Sequence, residues 1–404
     1  MMPKQSVRDV EVRGRRVFVR VDFNVPLRGN RIEDDTRILA SLPTIRLLVE
    51  RGASVILASH LGRPKARREE EYSLAPVAAR LAELLARPVA FSLDCVGDAV
   101  REQVKSLRPG EVLLLENVRF HAGEEANDLE FARELAALAD VYVNDAFGAA
   151  HRAHASTVGV PALVQPAVAG LLMEKELDYL GRVLAHPERP FYALLGGAKV
   201  SDKIGVLSHL LDIADGVLVA GGMAYTFLRA MGRRVGASLV EEDKLDVAKK
   251  VLIRSIEIGV PLYLPIDHVL ADRFAADAAV RTAYRDLIPH GWQALDVGPN
   301  TVAMYTEILA RARTVVWNGP VGVYEFDAFA KGTMAFARAL ADLNATTIIG
   351  GGDCAAAVHK AGVADRMTHI STGGGASLEF LEGKALPGVV ALSERTPATS
   401  GPPG

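Results

Sequence analysis

The sequence predicts an α/β protein with doubly wound parallel sheets in two domains. Short β-branched runs alternate with amphipathic helical stretches along the whole chain. The elbows after those runs change character half-way, from Arg-, His- and Asn-bearing to glycine-rich. A length of 404 residues also exceeds what one hydrophobic core comfortably serves. The runs are Val17–Val21, Val55–Ala58, Val112–Leu115 and Val141–Val143, then Phe191–Leu195, Val217–Ala220, Pro261–Leu264, Val315–Trp317 and Thr346–Ile349. Being continuously apolar rather than alternating, they suit strands covered on both faces. In such sheets ligands bind beyond the carboxyl ends of the strands, so the elbows carry the chemistry.

Between the halves lies Leu171–Leu184, where Met173, Leu177, Leu180 and Leu184 recur at helical spacing after Gly170 and before Pro187. It reads as a core helix or, given the change of elbows around it, as a connector between an anion-binding and a nucleotide-binding lobe. A net charge of −3 argues against a general nucleic-acid or anionic-membrane binder while leaving room for a local basic pocket. Cys95 and Cys354 are far apart, form no CxxC and fit a reducing cytoplasm. The N-terminal segment has no apolar signal region and no run of 18 apolar residues occurs, so neither export nor membrane spanning is expected. Thr396–Gly404, rich in Pro, Ser, Thr and Gly, is expected to be disordered.

The first-half elbows are Asp22-Phe23-Asn24-Val25-Pro26, with Arg20 before and Arg37 beyond; Ser59-His60-Leu61-Gly62-Arg63-Pro64; Glu116-Asn117-Val118-Arg119-Phe120; and Asn144-Asp145-Ala146-Phe147, leading to His151-Arg152-Ala153-His154. A single Arg is usually a solvated loop charge. Repetition at successive strand ends makes a pocket for a small, multiply charged anion, because guanidinium forks match carboxylate and phosphate oxygens. His151-x-x-His154 lacks companions at zinc spacing, so these histidines and His60 are read as neutral or cationic imidazoles donating to an anion, or as plain surface residues. Asp22 and Asn24 are equally well read as turn formers or as groups that orient a ligand hydroxyl.

The second-half elbows are Gly196-Gly197-Ala198-Lys199-Val200-Ser201-Asp202-Lys203, Gly221-Gly222-Met223, Asn318-Gly319-Pro320 running to Glu325, Gly350-Gly351-Gly352-Asp353-Cys354, and Ser371-Thr372-Gly373-Gly374-Gly375. Glycine permits close backbone approach, and N–H groups at helix starts attract phosphate. Lys199 and Lys203, four apart, can share one helical face. Asp353 is a helix cap or, in a nucleotide site, a Mg²⁺ carboxylate. None of these elbows is GxxxxGK[ST] or a clean GxGxxG.

Together the motifs RVDFNVP (Arg20–Pro26), HLGRP (His60–Pro64), ENVRF (Glu116–Phe120), NDAFGAAHRAHAS (Asn144–Ser156), GGAKVSDK (Gly196–Lys203), WNGPVGVYE (Trp317–Glu325), GGGD (Gly350–Asp353) and STGGGASLE (Ser371–Glu379) resemble the phosphoglycerate kinases, in family order from about Arg16 to Ser393. The resemblance implies two Rossmann-like lobes facing across a cleft: an N-terminal lobe over 1–170, a linker helix over 171–184, and a nucleotide lobe over 185–386. A segment at about 387–395 would pack back on the first lobe. It implies reversible phosphoryl transfer between 1,3-bisphosphoglycerate and ADP, giving 3-phosphoglycerate and ATP, by a monomeric cytoplasmic enzyme that closes on its substrates.

By motif match, the phosphoglycerate would be held by Asp22, Phe23, Asn24, Arg37, His60, Leu61, Gly62, Arg63, Arg119, His151 and Arg152. The nucleotide would lie on Gly196, Gly197, Lys199, Lys203, Gly221, Asn318, Pro320, Glu325, Gly351, Gly352, Asp353 and Cys354, with Mg²⁺ at Asp353. Arg37, Lys199 and Gly373–Gly375 would meet the phosphoryl group in transit. Cys354 departs from the family's usual Thr or Ser and weakens one donor. Ala294 replaces a glycine that some members carry near the adenine, and is expected to alter packing.

The implied acceptor is a carboxylate, ionised at neutral pH, so the absence of a Ser–His or Cys–His pairing among the elbows is consistent. Three other readings are weaker. A two-lobed anion-binding protein predicts an export signal and no Lys199, Lys203 or Asp353. A nicotinamide-dependent dehydrogenase predicts GxGxxG after an early strand. A catalytically silent relative has no reason to keep Arg37, Lys199 and Glu325.

Overall fold

The computed structural model describes residues 3–285 and 287–395; the Thr396–Gly404 tail lies outside them. The chain divides into two compact units, one running to Asp178 and resuming at Ala385, the other covering Tyr179–Lys384.

The first unit is built on a parallel sheet of β1 (Arg16–Val21), β2 (Ser54–Ala58), β3 (Ala90–Phe91), β4 (Val112–Leu114), β5 (Val141–Asp145) and β6 (Ala167–Ala169), in the spatial order β3-β4-β2-β1-β5-β6. Both neighbours of β1 run parallel to it, with Val17 opposite Val55 on one side and Val141 on the other. Val17, Phe18, Val19 and Val21 are all fully buried, as strands covered on both faces require. Winding away from β1 in both directions places a topological switch point at the carboxyl ends of β1 and β5, where a crevice opens. The chain beyond Ala385 is tied into this unit: Gly388 N–H donates to Ala150 O at 2.8 Å, Ser393 N–H to Ala167 O at 2.8 Å and Asn144 Nδ2 to Gly388 O at 3.2 Å.

The second unit repeats the plan. Its strands are β7 (Phe191–Leu195), β8 (Gly216–Val219), β9 (Leu262–Tyr263), β10 (Asp267–Ala271), β11 (Val280–Tyr284), β12 (Gln293–Val297), β13 (Thr314–Asn318), β14 (Thr346–Gly350) and β15 (His369–Ile370). The parallel sheet has the order β9-β8-β7-β13-β14-β15, with the switch point between β7 and β13. The remaining strands form a separate antiparallel sheet in the order β11-β10-β12. The sequence reading missed that sheet, because β11 is mostly exposed and its apolar residues are interrupted by Arg281 and Thr282. Ala294, on β12, packs with Tyr225, Val235, Leu270 and Ile288 in a small core of its own.

The helix Leu171–Ala185 contains the boundary between the units. Met173 and Leu180 are fully buried. Its start is capped across space: Asp145 Oδ1, at the end of β5, accepts from Leu172 N–H at 2.9 Å and Met173 N–H at 3.3 Å. Gly170 makes this approach possible, since a Cβ there would fall 2.1 Å from Asp145 Oδ1. Asp145 is fully buried, and burial outweighs those donors, pushing its carboxyl up to about 7.

A carboxyl raised on folding favours the native state below its ordinary value, and that contribution is lost as pH rises through about 7. The stability of the wild type relative to Asp145→Asn, read from urea midpoints, should therefore fall between pH 4 and 7.5 by on the order of 1–4 kcal/mol. A pH-independent difference would show that Asp145 is not neutralised by burial. Asp145→Ala, which removes the acceptor altogether, should cost about 1 kcal/mol more than Asp145→Asn at pH 5.

Candidate active-site residues in the two units

In the first unit the elbows bring a set of cations to one rim. Arg20 is the founding member. It sits in the central strand at 0% exposure, so its charge needs partners in place. Its Nε donates to Ser156 Oγ at 2.7 Å, Nη1 to the Val21 carbonyl, and Nη2 lies 3.1 Å from His60 Nδ1. Behind Ser156 stands Glu124, also fully buried, accepting from Ser156 N–H at 2.9 Å and from its hydroxyl at 2.5 Å.

His60 is consequently a fixed, neutral ring. Burial, then the positive charges of Arg20, Arg119, Arg152 and Arg37, hold it well below the usual histidine range. With Nδ1 accepting from Arg20, the ring proton belongs on Nε2, which is free to donate. Neither the cationic nor the surface alternative for this residue survives.

Arg119 stands out among these cations for its vacant donor. It is 3% exposed; Nη1 donates to Gly62 O at 2.8 Å and Nε lies 3.2 Å from Glu125 Oε1. Nη2 is buried with no hydrogen-bond partner. Burial, then Arg152 and Arg20, lower its pKa to about 10, so it stays cationic at neutral pH. A buried guanidinium facing like charges with a vacant donor is costly unless an anion arrives. Arg152, half-buried, turns Nε to His151 Nε2 at 3.2 Å. Arg37 holds Asp22 through Nη1 alone, at 3.0 and 2.9 Å to the two carboxylate oxygens, leaving its other guanidinium nitrogens for a ligand. Arg63 is exposed.

Several expected ligand contacts prove to be framework. Phe23 is fully buried in the sheet core, with its N–H on Ser59 Oγ at 2.8 Å and its carbonyl taken by Val25 N–H. Leu61 is 3% exposed and its carbonyl accepts from Asn117. Both side chains belong to the core of the first unit. Gly62, at φ +61°, passes its N–H to Asn24 Oδ1 and its carbonyl to Arg119, so it joins three elbows. Asn24 Oδ1 thus serves as a tie between two elbows.

In the second unit the glycines serve first to let loops touch one another. A Cβ on Gly196 would lie 2.1 Å from Pro320 O, and one on Gly221 2.6 Å from Gly197 O. The same loops are laced by Gly197 N–H to Pro320 O at 2.9 Å, Gly221 N–H to Val321 O at 3.2 Å and Met223 N–H to Gly197 O at 3.1 Å. Gly352 and Gly374 instead face open space.

Lys199 and Lys203 do not share a helical face. The helix begins only at Ile204, and 199–203 form a turn anchored by fully buried Val200, whose carbonyl accepts Lys203 N–H. Lys199 is exposed, whereas Lys203 runs inward to 3.4 Å from Asn318 O. Burial lowers the pKa of Lys203, with Cys354 and Asp353 opposing.

Asn318 is 1% exposed, and its Oδ1 is buried without a hydrogen-bond partner. Glu325 is exposed. The helix Gly352–Lys360 is preceded by Gly351 as its cap residue, which places Asp353 in the first turn, exposed and without the capping role. Cys354 is fully buried, and burial pushes its thiol up to about 12. As a side-chain ligand contact it is withdrawn; what position 354 can offer is its first-turn N–H.

A hard cation carried by a polyphosphate fits here, since one exposed carboxylate at a helix start with open backbone N–H groups is what such a complex uses. Among the described residues no helix is long and apolar enough to cross a membrane.

Known proteins resemble this chain along nearly its whole length. The family model described as phosphoglycerate kinase matches residues 7–384. A curated phosphoglycerate kinase from Pelotomaculum thermopropionicum is 59% identical over 394 residues, covering 98% of this chain and 100% of that protein. The solved phosphoglycerate kinase of Coxiella burnetii superposes with a TM-score of 0.88 at 43% identity, covering 96% of this chain and 98% of the other. That of Pyrococcus horikoshii OT3 does so at 0.84 and 35%, covering 97% and 98%. With matches of this identity across nearly its whole length, the chain belongs to the phosphoglycerate kinase family.

Proposed function

We propose that this chain catalyses the family's ATP-generating step of glycolysis, passing the acyl phosphate of 1,3-bisphosphoglycerate to ADP and, in reverse, phosphorylating the carboxylate of 3-phosphoglycerate from ATP. The observation that carries the reading is the buried Arg119 guanidinium, with an unpartnered Nη2, among Arg20, Arg152 and Arg37 around a neutral His60. Such a rim suits a small di- or trianion and disfavours a neutral ligand.

In this reading Arg63, Arg119, Arg152 and His151 hold the 3-phosphate, and His60 Nε2 and Asn24 donate to the carboxylate end. Asp22 fixes Arg37 and accepts from the ligand hydroxyl. The laced glycine loops and the first-turn N–H groups of 352–354 receive the nucleotide phosphates, with Lys203 between them and Asn318. Glu325 takes the ribose. Asp353 would hold Mg²⁺, which would supply charge neutralisation to the bound polyphosphate.

Arg37 in the first unit, and Lys199 with the 373–375 backbone in the second, are the donors proposed for the oxygens of the phosphoryl group. The nucleophile is an ionised carboxylate, so no residue need remove a proton. The enzyme is proposed to be monomeric and cytoplasmic, consistent with Cys95 and Cys354 both being free thiols.

Purified protein given ATP, Mg²⁺ and 3-phosphoglycerate should consume ATP in a coupled assay, and lack of turnover would end the proposal. Lys199→Ala should lower kcat by on the order of 10³ with an unchanged melting temperature, because the side chain is exposed. A near-normal kcat would remove Lys199 from the transfer step.

Arg119→Gln addresses the ligand rim separately. In the wild type, 3-phosphoglycerate at about 100 times its Kd should stabilise the fold by roughly 2.7 kcal/mol. In the variant most of that shift should vanish, while the unliganded protein keeps its stability or gains some. A full ligand-induced shift in Arg119→Gln would place the anion elsewhere.

A further inference from the structure

The kinase reading leaves one group of metal-ligating side chains unused. Asp94, Cys95 and His121 each offer a ligand atom, and these atoms lie within 4.8 Å of one another. Asp94 and Cys95 are on the connection that leaves β3, and His121 follows the turn after β4, its neighbour in the sheet. The pieces are held in place without a ligand. His121 Nε2 lies 2.7 Å from Asp94 Oδ1, and the His121 ring stacks on Phe131 at 5.1 Å between centroids. Cys95 is fully buried at the floor, while the Asp94 and His121 side chains are 48% and 33% exposed and form an open mouth.

We propose that Asp94, Cys95 and His121 form a zinc site, with a water in the fourth position. The donor set selects the metal. Thiolate and imidazole favour a borderline-soft cation such as Zn²⁺, whereas Mg²⁺ and Ca²⁺ demand oxygen ligands throughout. One ligand of each kind plus an open position matches tetrahedral coordination.

Binding needs modest rearrangement. With bonds of about 2.0 Å, imidazole nitrogen and carboxylate oxygen sit about 3.3 Å apart around a tetrahedral ion. The His121–Asp94 pair must therefore open by a little over half an ångström, which two partly exposed side chains on connecting segments can do. The S–H bond of Cys95 breaks as the S–Zn bond forms and its proton passes to solvent, while the proton that His121 Nε2 donates to Asp94 moves to Nδ1 and frees the Nε2 lone pair for the metal, with no change of oxidation state. The Phe131 stack keeps the imidazole plane aimed at the site, as a metal-bound histidine needs.

The test uses the full chain, stripped of metal by a chelator and kept in excess Mg²⁺ so that oxygen-only sites are filled. Zn²⁺ is titrated in competition with a chromophoric chelator, and Co²⁺ is added in parallel and followed by absorption. The expected result is one Zn²⁺ per chain and, with Co²⁺, a thiolate-to-metal charge-transfer band beside intense tetrahedral d–d bands. Changes outside the first coordination sphere typically cost 10–100-fold in affinity, so Cys95→Ser and His121→Ala should each weaken Zn²⁺ by more than roughly 100-fold.

Cys354→Ser should keep the cobalt spectrum, because that thiol is in the other unit. Absence of stoichiometric Zn²⁺ binding in the wild type overturns the proposal and leaves the trio as a tie between two loops. Persistence of the charge-transfer band in Cys95→Ser, or of wild-type affinity in His121→Ala, also overturns it. The histidine variant carries the test if the buried cysteine cannot be replaced without loss of fold.

Discussion

The first unit depends on keeping one arginine charged inside a sheet. Arg20 is fully enclosed in the central strand, and such a charge is tolerable only with its donors engaged and a counter-charge within reach. Ser156 takes one donor and passes its own to buried Glu124, the Val21 carbonyl takes another, and His60 a third. These bonds join β1, the elbow after β2, the Ala122–Glu125 helix and the segment after Ala155. A rim of further cations can then be hung on a frame that cannot relax to disperse them. Without that frame, Arg119 and Arg152 would gain by swinging apart into water.

Much of this was legible in the chain. Every long apolar run became a strand of a parallel sheet, because burial on both faces leaves no polar alternation to confuse the reading. What escaped were edges and additions. The two-residue strands β3 and β15 are too short to carry a pattern, and the β10–β12 sheet is partly polar and exposed. At the site, the cationic character of the elbows was plain, but the division of labour was not. Phe23 and Leu61 occupy positions between ligand-type residues in sequence, and the loops after β1 and β2 turn their side chains into the core. Arg20, on the other hand, looked like one more rim charge and is the anchor. A charged residue within an otherwise apolar run was the available signal.

The lysine pair shows a different limit. Spacing of four residues places two side chains together only if the backbone between them is helical. Here Val200 buries itself and pulls the segment into a turn, so Lys199 faces solvent while Lys203 lies along the sheet end. Spacing could not reveal that one apolar residue decides the conformation of its neighbours. The same turn separates an exposed, mobile-length cation from a desolvated one, which are different electrostatic tools.

On the proposed reading, the two units offer anion recognition of opposite kinds. In the first, donors are side chains whose identity matters atom by atom, and replacing any of them changes charge. In the second, donors are backbone N–H groups held by glycine loops that lock onto one another, with Gly196 against Pro320 and Gly221 against Gly197. A side chain there matters mainly for whether the loops can close. This explains how Cys354 can stand where relatives are expected to carry a hydroxyl: its sulfur is inside the helix–sheet core, and the N–H it presents is common to every residue but proline. Substitution pressure on the second unit should consequently fall on volume at the glycines, and on the first unit on charge at the arginines.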